Sequence, residues 1–233
     1  MIDKRHEDAR ACLTDIRDGD TVMVSGFGDS GRPNWLMKAL IDHGARNLTL
    51  ISNNAGEGPV GAGALIMSGL IGKLICSFPR GAMVPAMMDL LNRGAFELEV
   101  IPQGTLAERI RAAGAGVSAF YTPTGYGTKH AEGKETREID GRGHVLEYAL
   151  KADHALVRAK QADRWGNLTY DKLGRSFGPL MCAAAAHTVA EVDEFVELGA
   201  ISPEHVITPG IFVQKAVLTR PVPADAWKTE AAA

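Results

Sequence analysis

The chain has 233 residues, 45% hydrophobic and 23% charged, with a formal net charge of −3, the profile of a soluble globular protein. A slight negative charge without any Lys/Arg run excludes nucleic acid and anionic membranes as electrostatic partners. Three scattered cysteines, Cys12, Cys76 and Cys182, form no C-x-x-C pair, which excludes a disulfide framework and points to reduced thiols in the cytoplasm.

Along the chain, Ala9, Cys12, Leu13 and Ile16 fall at i, i+3, i+4 and i+7, which predicts an amphipathic helix over 3–17. A turn at Asp18-Gly19-Asp20 leads into a strand over 21–24, and a glycine-rich loop at 25–32 follows. Pro33 opens a helix to about His43, and Gly44 stops it. The cycle then repeats, with strands over 48–52, 73–77 and 97–101 and helices over 60–70, 83–92 and 106–113. Strands alternating with helices predict βαβ units, hence an α/β fold with an open, mainly parallel sheet covered by helices on both faces.

From about Val117 the pattern changes. Residues 118–150 are rich in Gly, Thr, Pro and charge and read as a small loop-rich β subregion with a strand at 145–148. Further strands are expected over 155–157, 188–196 and 211–217, with a helix over 179–187. The Pro/Ala-rich tail, 221–233, is expected to fray. No linker interrupts 1–233, so a single domain is expected. The charged start lacks a secretory h-region, and no apolar run approaches the roughly 18 residues of a membrane span.

In an open parallel sheet, ligands bind outside the carboxyl ends of the strands. That rule selects Ser25, Gly26, Phe27, Gly28, Asp29, Ser30 and Gly31, then Asn53 and Asn54, then the segment ending at Arg80, then Gln103 and Gly104. The glycine loop precedes a helix N-terminus, where free N–H groups favour a phosphate or carboxylate; it also reads as a plain strand-to-helix turn. It makes no dinucleotide fingerprint, because Asn53 and Asn54 stand where a ribose-binding acid is required. Asparagines in that place also serve turns. Gln103 reads equally as a satisfied loop residue, and Arg80 as half of a surface ion pair. Glu57 is an acid near the same edge, with a solvated loop position as its simpler reading. Gly28-Asp29-Ser30-Gly31 matches the serine motif of trypsin-like proteases, but only His6 precedes it, so a triad is ruled out. The seven histidines include no metal-ligating spacing.

Together these segments resemble a known family. Asp18-Gly19, Val22-Met23-Val24-Ser25-Gly26-Phe27, Gly31 and Pro33 are similar to the signature of family I CoA-transferase alpha chains, in which a second glycine stands at the place of Ser25 and the position between Gly31 and Pro33 is open. The likeness extends through the segments 51–56, 102–110, 120–128, 134–138, 162–168 and 208–213. Cys76-Ser77-Phe78-Pro79-Arg80 and the run 163–170 are similar to the members whose acceptor is 3-oxoadipate.

The resemblance implies the fold shared by CoA-transferases and sugar-phosphate isomerases, and a ping-pong transfer of CoA from succinyl-CoA to 3-oxoadipate through a glutamyl-CoA thioester. The family's nucleophile lies in a Ser-Glu-Asn-Gly motif on a beta chain, and that motif is absent here. A beta CoA-transferase chain is therefore implied as partner, in a heterotetramer of two alpha and two beta chains, with coenzyme A as a substrate moiety and no permanent cofactor. Residues 25–31 match the CoA loop, Gln103 a glutamine near the thioester, and Asn53 and Asn54 polar residues lining the same pocket. Arg80 is a further expectation, as the cation for the acceptor's second carboxylate. The alternatives are an acetoacetate or short-chain acyl transferase and, from another class, a sugar-phosphate isomerase or ligand-sensing domain.

Overall fold

The computed structural model describes residues 2–56, 58–79 and 85–227. In chain order the elements are β1 (Arg5–His6), α1 (Ala9–Cys12), β2 (Thr21–Val24), α2 (Asn34–His43), β3 (Leu48–Ser52), α3 (Ala62–Met67), β4 (Ile71–Cys76), α4 (Pro85–Asn92), β5 (Glu97–Val100) and α5 (Gln103–Gly114). Then come β6 (Ala119–Thr122), β7 (Thr136–Ile139), β8 (Arg142–Tyr148), β9 (Ala152–Ala162), β10 (Leu168–Thr169), α6 (Gly178–Ala184), β11 (Ala185–Phe195) and β12 (Lys215–Leu218).

The main sheet runs β1-β12-β11-β9-β2-β3-β4-β5, every neighbouring pair parallel, with β10 antiparallel on β9. Alternate residues of each strand enter opposite cores. Val22, Leu50 and Leu74 pack with Leu36, Leu40 and Leu65 from α2 and α3, while Met23, Ile51 and Ile75 pack with Leu106, Ile110 and Met181 from α5 and α6. Burial on both faces is why these strands read as continuous apolar runs. Residues 119–148 form a separate antiparallel sheet, β6-β8-β7, the small β subregion expected there. From β2 the chain builds outward through β3, β4 and β5, then returns on the other side as β9, β11 and β12. The switch point therefore lies between β2 and β9, at the end where the glycine loop emerges.

Several expected elements are corrected. The first helix is reduced to Ala9–Cys12, because the backbone before it pairs as edge strand β1 with β12, Ala216 N donating to Lys4 O at 2.7 Å. Its four apolar residues are buried all the same. The helix expected over 106–113 begins at Gln103, since Leu106 N already donates to Pro102 O at 2.9 Å. The helix expected over 179–187 stops at Ala184, where Ala185 joins β11 opposite Ala152. The strand expected over 211–217 starts at Lys215, after a 3-10 turn at Gly210–Phe212. The tail does not fray as far as it is described: Ala224–Trp227 is a 3-10 turn, and Trp227 is buried in the core. Among the described residues, no helix is long and apolar enough to cross a membrane.

Candidate active site

The loop after β2 is held from both ends. Phe27 N donates to Ser30 O at 2.9 Å and Ser30 N to Phe27 O at 3.2 Å, closing a tight turn over Gly28 and Asp29. Gly28 has φ +58°, the left-handed backbone such turns need at their first central position. Gly31 has φ +72°, and a Cβ there would lie 2.5 Å from the carbonyl oxygen of Gly174, so the loop lies directly on the 171–177 segment. Ser25 is buried, and its hydroxyl donates to Gly31 O at 2.8 Å while accepting from Arg158 N at 3.0 Å. The residue standing where the family has a second glycine thus turns its side chain inward and ties the loop to β9.

The helix end behind this loop is not open to a ligand anion. Glu191, fully buried at the centre of β11, places its carboxylate on the first turn of α2. Leu36 N donates to Oε2 at 3.0 Å, and Trp35 N donates to the same carboxylate. Arg158 Nη1 donates to Oε1 at 2.6 Å and Thr219 Oγ1 at 2.7 Å. Burial pushes this carboxyl above the ordinary carboxylate range in spite of its donors. An anion does sit at the helix N-terminus, as the dipole favours, but it belongs to the protein.

At the ends of β3, β4 and β5, Asn53 and Gln103 come together. Gln103 Nε2 donates to Asn53 Oδ1 at 2.7 Å, and Ser77 Oγ donates to the same oxygen at 2.9 Å. Asn53 is buried, so its carboxamide is a fixed acceptor, while Gln103 is the exposed first residue of α5. Asn54 has a different role. Its Oδ1 accepts from Gly56 N at 2.9 Å and its backbone oxygen from Ser52 Oγ at 2.6 Å, which makes it a turn residue.

Two hollows meet this edge. A narrow cleft of about 10 Å³ under the loop is bounded by Ser25, Gly26, Gly28, Arg32, Asn53 and Asn54. A groove of about 300 Å³ is lined by Phe27, Gln103, Gly104, Leu173, Phe177 and Leu180. The Asn53–Gln103 bond joins the two. Arg80 and Glu57 lie outside the described residues. Of the other sequence candidates, Asp29 and Ser30 are at the loop tip, where Asp29 forms a 2.5 Å ion pair with Arg32.

Sequence reasoning missed Glu191, Arg158, Arg32 and the groove wall at 173–180. Glu191 and Arg158 become a pair only through the β9–β11 register, which one chain segment cannot reveal. The wall has a structural signature, since Lys172 (φ +44°) and Ser176 (φ +33°) are both left-handed without being glycine, the kind of strain that gathers at functional sites. The three thiols are unsuited to nucleophilic chemistry, because burial pushes Cys12 and Cys76 up to about 11 and Cys182 up to about 12. Among the described residues, no cluster of metal-ligating side chains occurs.

The chain belongs to the coenzyme A transferase family, whose model matches residues 6–219. It is 57% identical over 217 residues to the A-type chain of 3-oxoadipate CoA-transferase from Pseudomonas putida, covering 93% of this chain and 94% of that protein. It is 50% identical to the A-type chain of a succinyl-CoA:3-ketoacid coenzyme A transferase from Xanthomonas campestris, over 92% of this chain and 88% of that protein. The fold matches the acyl-CoA transferase YdiF of Escherichia coli O157:H7 with TM-score 0.83 at 22% identity, over 97% of this chain and 50% of that one. The chain thus spans half the length of that solved structure.

Proposed function

We propose that this chain is the alpha half of a 3-oxoadipate CoA-transferase, moving CoA from succinyl-CoA to 3-oxoadipate with a beta chain that supplies the glutamate nucleophile. The observation that carries the reading is the Gln103–Asn53 pair at the mouth of the groove. An amide nitrogen carries two hydrogens. Asn53 takes one, and among the described residues no acceptor takes the other.

In the transfer, a carboxylate of the beta chain attacks the thioester carbonyl, and the C–S bond breaks to leave a mixed anhydride and CoA thiolate. The thiolate attacks the glutamyl carbonyl of the anhydride, releasing succinate, and the acceptor acid reverses the sequence. Negative charge appears on the carbonyl oxygen each time, and a fixed N–H aimed at it lowers the barrier by about 3 kcal/mol. Gln103 supplies that donor, and its bond to Asn53 fixes it before substrate arrives.

The glycine loop, from Ser25 through Gly31, forms the CoA-facing wall, with Phe27 and Gly104 against the pantetheine arm. Asn54 shapes the turn at the border of the narrow cleft. The assembly of two alpha and two beta chains and a cytoplasmic location belong to the same proposal. The Xanthomonas campestris relative supports a second reading, in which the acceptor is another 3-ketoacid such as acetoacetate. Assaying the purified alpha/beta pair with 3-oxoadipate and with acetoacetate decides between the two: a higher kcat/KM for acetoacetate removes the first reading.

A further inference from the structure

The cation best placed for a substrate acid is one that the family signature leaves open, Arg32. Its side chain is only 12% exposed, and among the described residues its one ion pair is with Asp29, which is 77% exposed at the tip of the turn. Its Nε is buried and has no hydrogen-bond partner. Two glycines make room for it: a Cβ on Gly26 would lie 2.7 Å from its Cγ, and one on Gly61 would lie 3.3 Å from its Nη1. It borders the narrow cleft beside Asn53 and also faces a crevice lined by Asn34, Arg158, Lys160, Tyr170 and Asp193.

A guanidinium taken out of water is costly unless its donors and charge are matched. Here one donor is orphaned, and the matching charge is an exposed side chain at the tip of the turn. That is the arrangement of a cation whose resident partner gives way to a better one. Arg158, the other guanidinium of the crevice, is already committed to Glu191 and Asp193. The cleft of about 10 Å³ holds at most one water, whereas the crevice of about 310 Å³ on the other side of Arg32 has room for a carboxylate group. A planar fork of donors is complementary to that group.

We propose that Arg32 receives the free carboxylate at the far end of the substrate acid, displacing Asp29, and so makes the enzyme prefer dicarboxylic over monocarboxylic acids. This rests on the transferase reading for its consequence in turnover, but the binding site itself can be tested without it.

The test uses the assembled alpha/beta protein. Calorimetric titration with adipate, in the absence of any CoA ester, measures the site directly. Arg32→Met, which keeps the bulk of the stem, is expected to weaken adipate binding by about tenfold to a hundredfold. Asp29→Asn, at an exposed position that leaves the core untouched, is expected to tighten it. In turnover, Arg32→Met is expected to lower kcat/KM for 3-oxoadipate by a similar factor while sparing acetoacetate. Adipate binding that is unchanged in both variants overturns the proposal. So does an equal loss on both acids, or a loss that follows KM for succinyl-CoA, which would assign the cation to the coenzyme's phosphates. So also does a selective loss in Arg80→Ala and none in Arg32→Met. If adipate binding depends on Arg32 but no CoA is transferred, the transferase reading fails and the carboxylate site stands.

Discussion

Gln103 Nε2 donates to Asn53 Oδ1 across 2.7 Å, joining the first residue of α5 to a buried amide at the end of β3. The bond makes one exposed side chain as well positioned as a buried one. Gln103→Ala is expected to lower kcat by about 100-fold to 1,000-fold with little change in KM, the loss typical of a single oxyanion donor. Asn53→Ala keeps the donor but frees it to rotate, and is expected to cost about tenfold. Asn53→Asp retains an acceptor oxygen and should keep more of the rate than Asn53→Ala. Steady-state kinetics of the three variants check the order.

Ser25 holds the loop through its hydroxyl, which bridges Gly31 O and Arg158 N. Ser25→Ala leaves both backbone groups without that partner in a part-buried setting, at an expected cost of about 1–2 kcal/mol. Ser25→Gly is expected to destabilise to a similar degree while leaving KM for succinyl-CoA unchanged, because the hydroxyl faces inward. Thermal unfolding beside a KM measurement separates stability from binding.

Glu191 ends the run of free N–H groups on α2 and neutralises Arg158. Glu191→Ala is expected to lose about 3–5 kcal/mol, because it uncovers a helix terminus and a partly buried cation together. At this chain length that corresponds to a fall in Tm of about 10 °C. Glu191→Gln keeps the acceptor oxygen and should lose less. Chemical denaturation of the three proteins checks it.

The frame was legible in the residues, and the site only in part. Strands β2 and β3 fall where expected, because Val22-Met23-Val24 and Leu48 to Ser52 are apolar runs between turn residues. Their carboxyl ends drew attention to Asn53 and Gln103, and the structure joins these two. Periodicity identified Ala9, Cys12, Leu13 and Ile16 as core but overstated the helix, since pairing at the sheet edge competes for the same backbone. The occupant of the helix end is not legible for a different reason. A glycine loop before a helix looks alike whether its charge partner is a ligand or Glu191, which lies 155 residues away in sequence from Leu36. The surroundings of Arg32 are not legible in the sequence, because they are made by glycines from two separate loops.

His154 lies buried beside Asp20, with Nε2 3.1 Å from Oδ2, and stacks on His187. Burial, opposed by Asp20 and Asp153 and aided by His187, holds its pKa below the ordinary histidine value. The unfolded chain therefore takes up the proton first as pH falls, and stability declines from about pH 6.5 downward. His154→Gln is expected to flatten that part of the stability profile relative to the parent. Urea midpoints between about pH 7.5 and 5, spanning the ordinary histidine range, measure it, and parallel profiles would assign the acid sensitivity to other groups.

On this proposal the chain is one half of a transferase, supplying Gln103 and the glycine loop but no nucleophile. Its most direct test is to mix the purified chain with a purified beta chain containing Ser-Glu-Asn-Gly, and to follow 3-oxoadipyl-CoA formation from succinyl-CoA and 3-oxoadipate. No transfer is expected by either chain alone, transfer is expected on mixing, and hydroxylamine should trap a glutamate on the beta chain. Transfer by this chain alone, or a mixed pair that leaves 3-oxoadipate untouched, would contradict it.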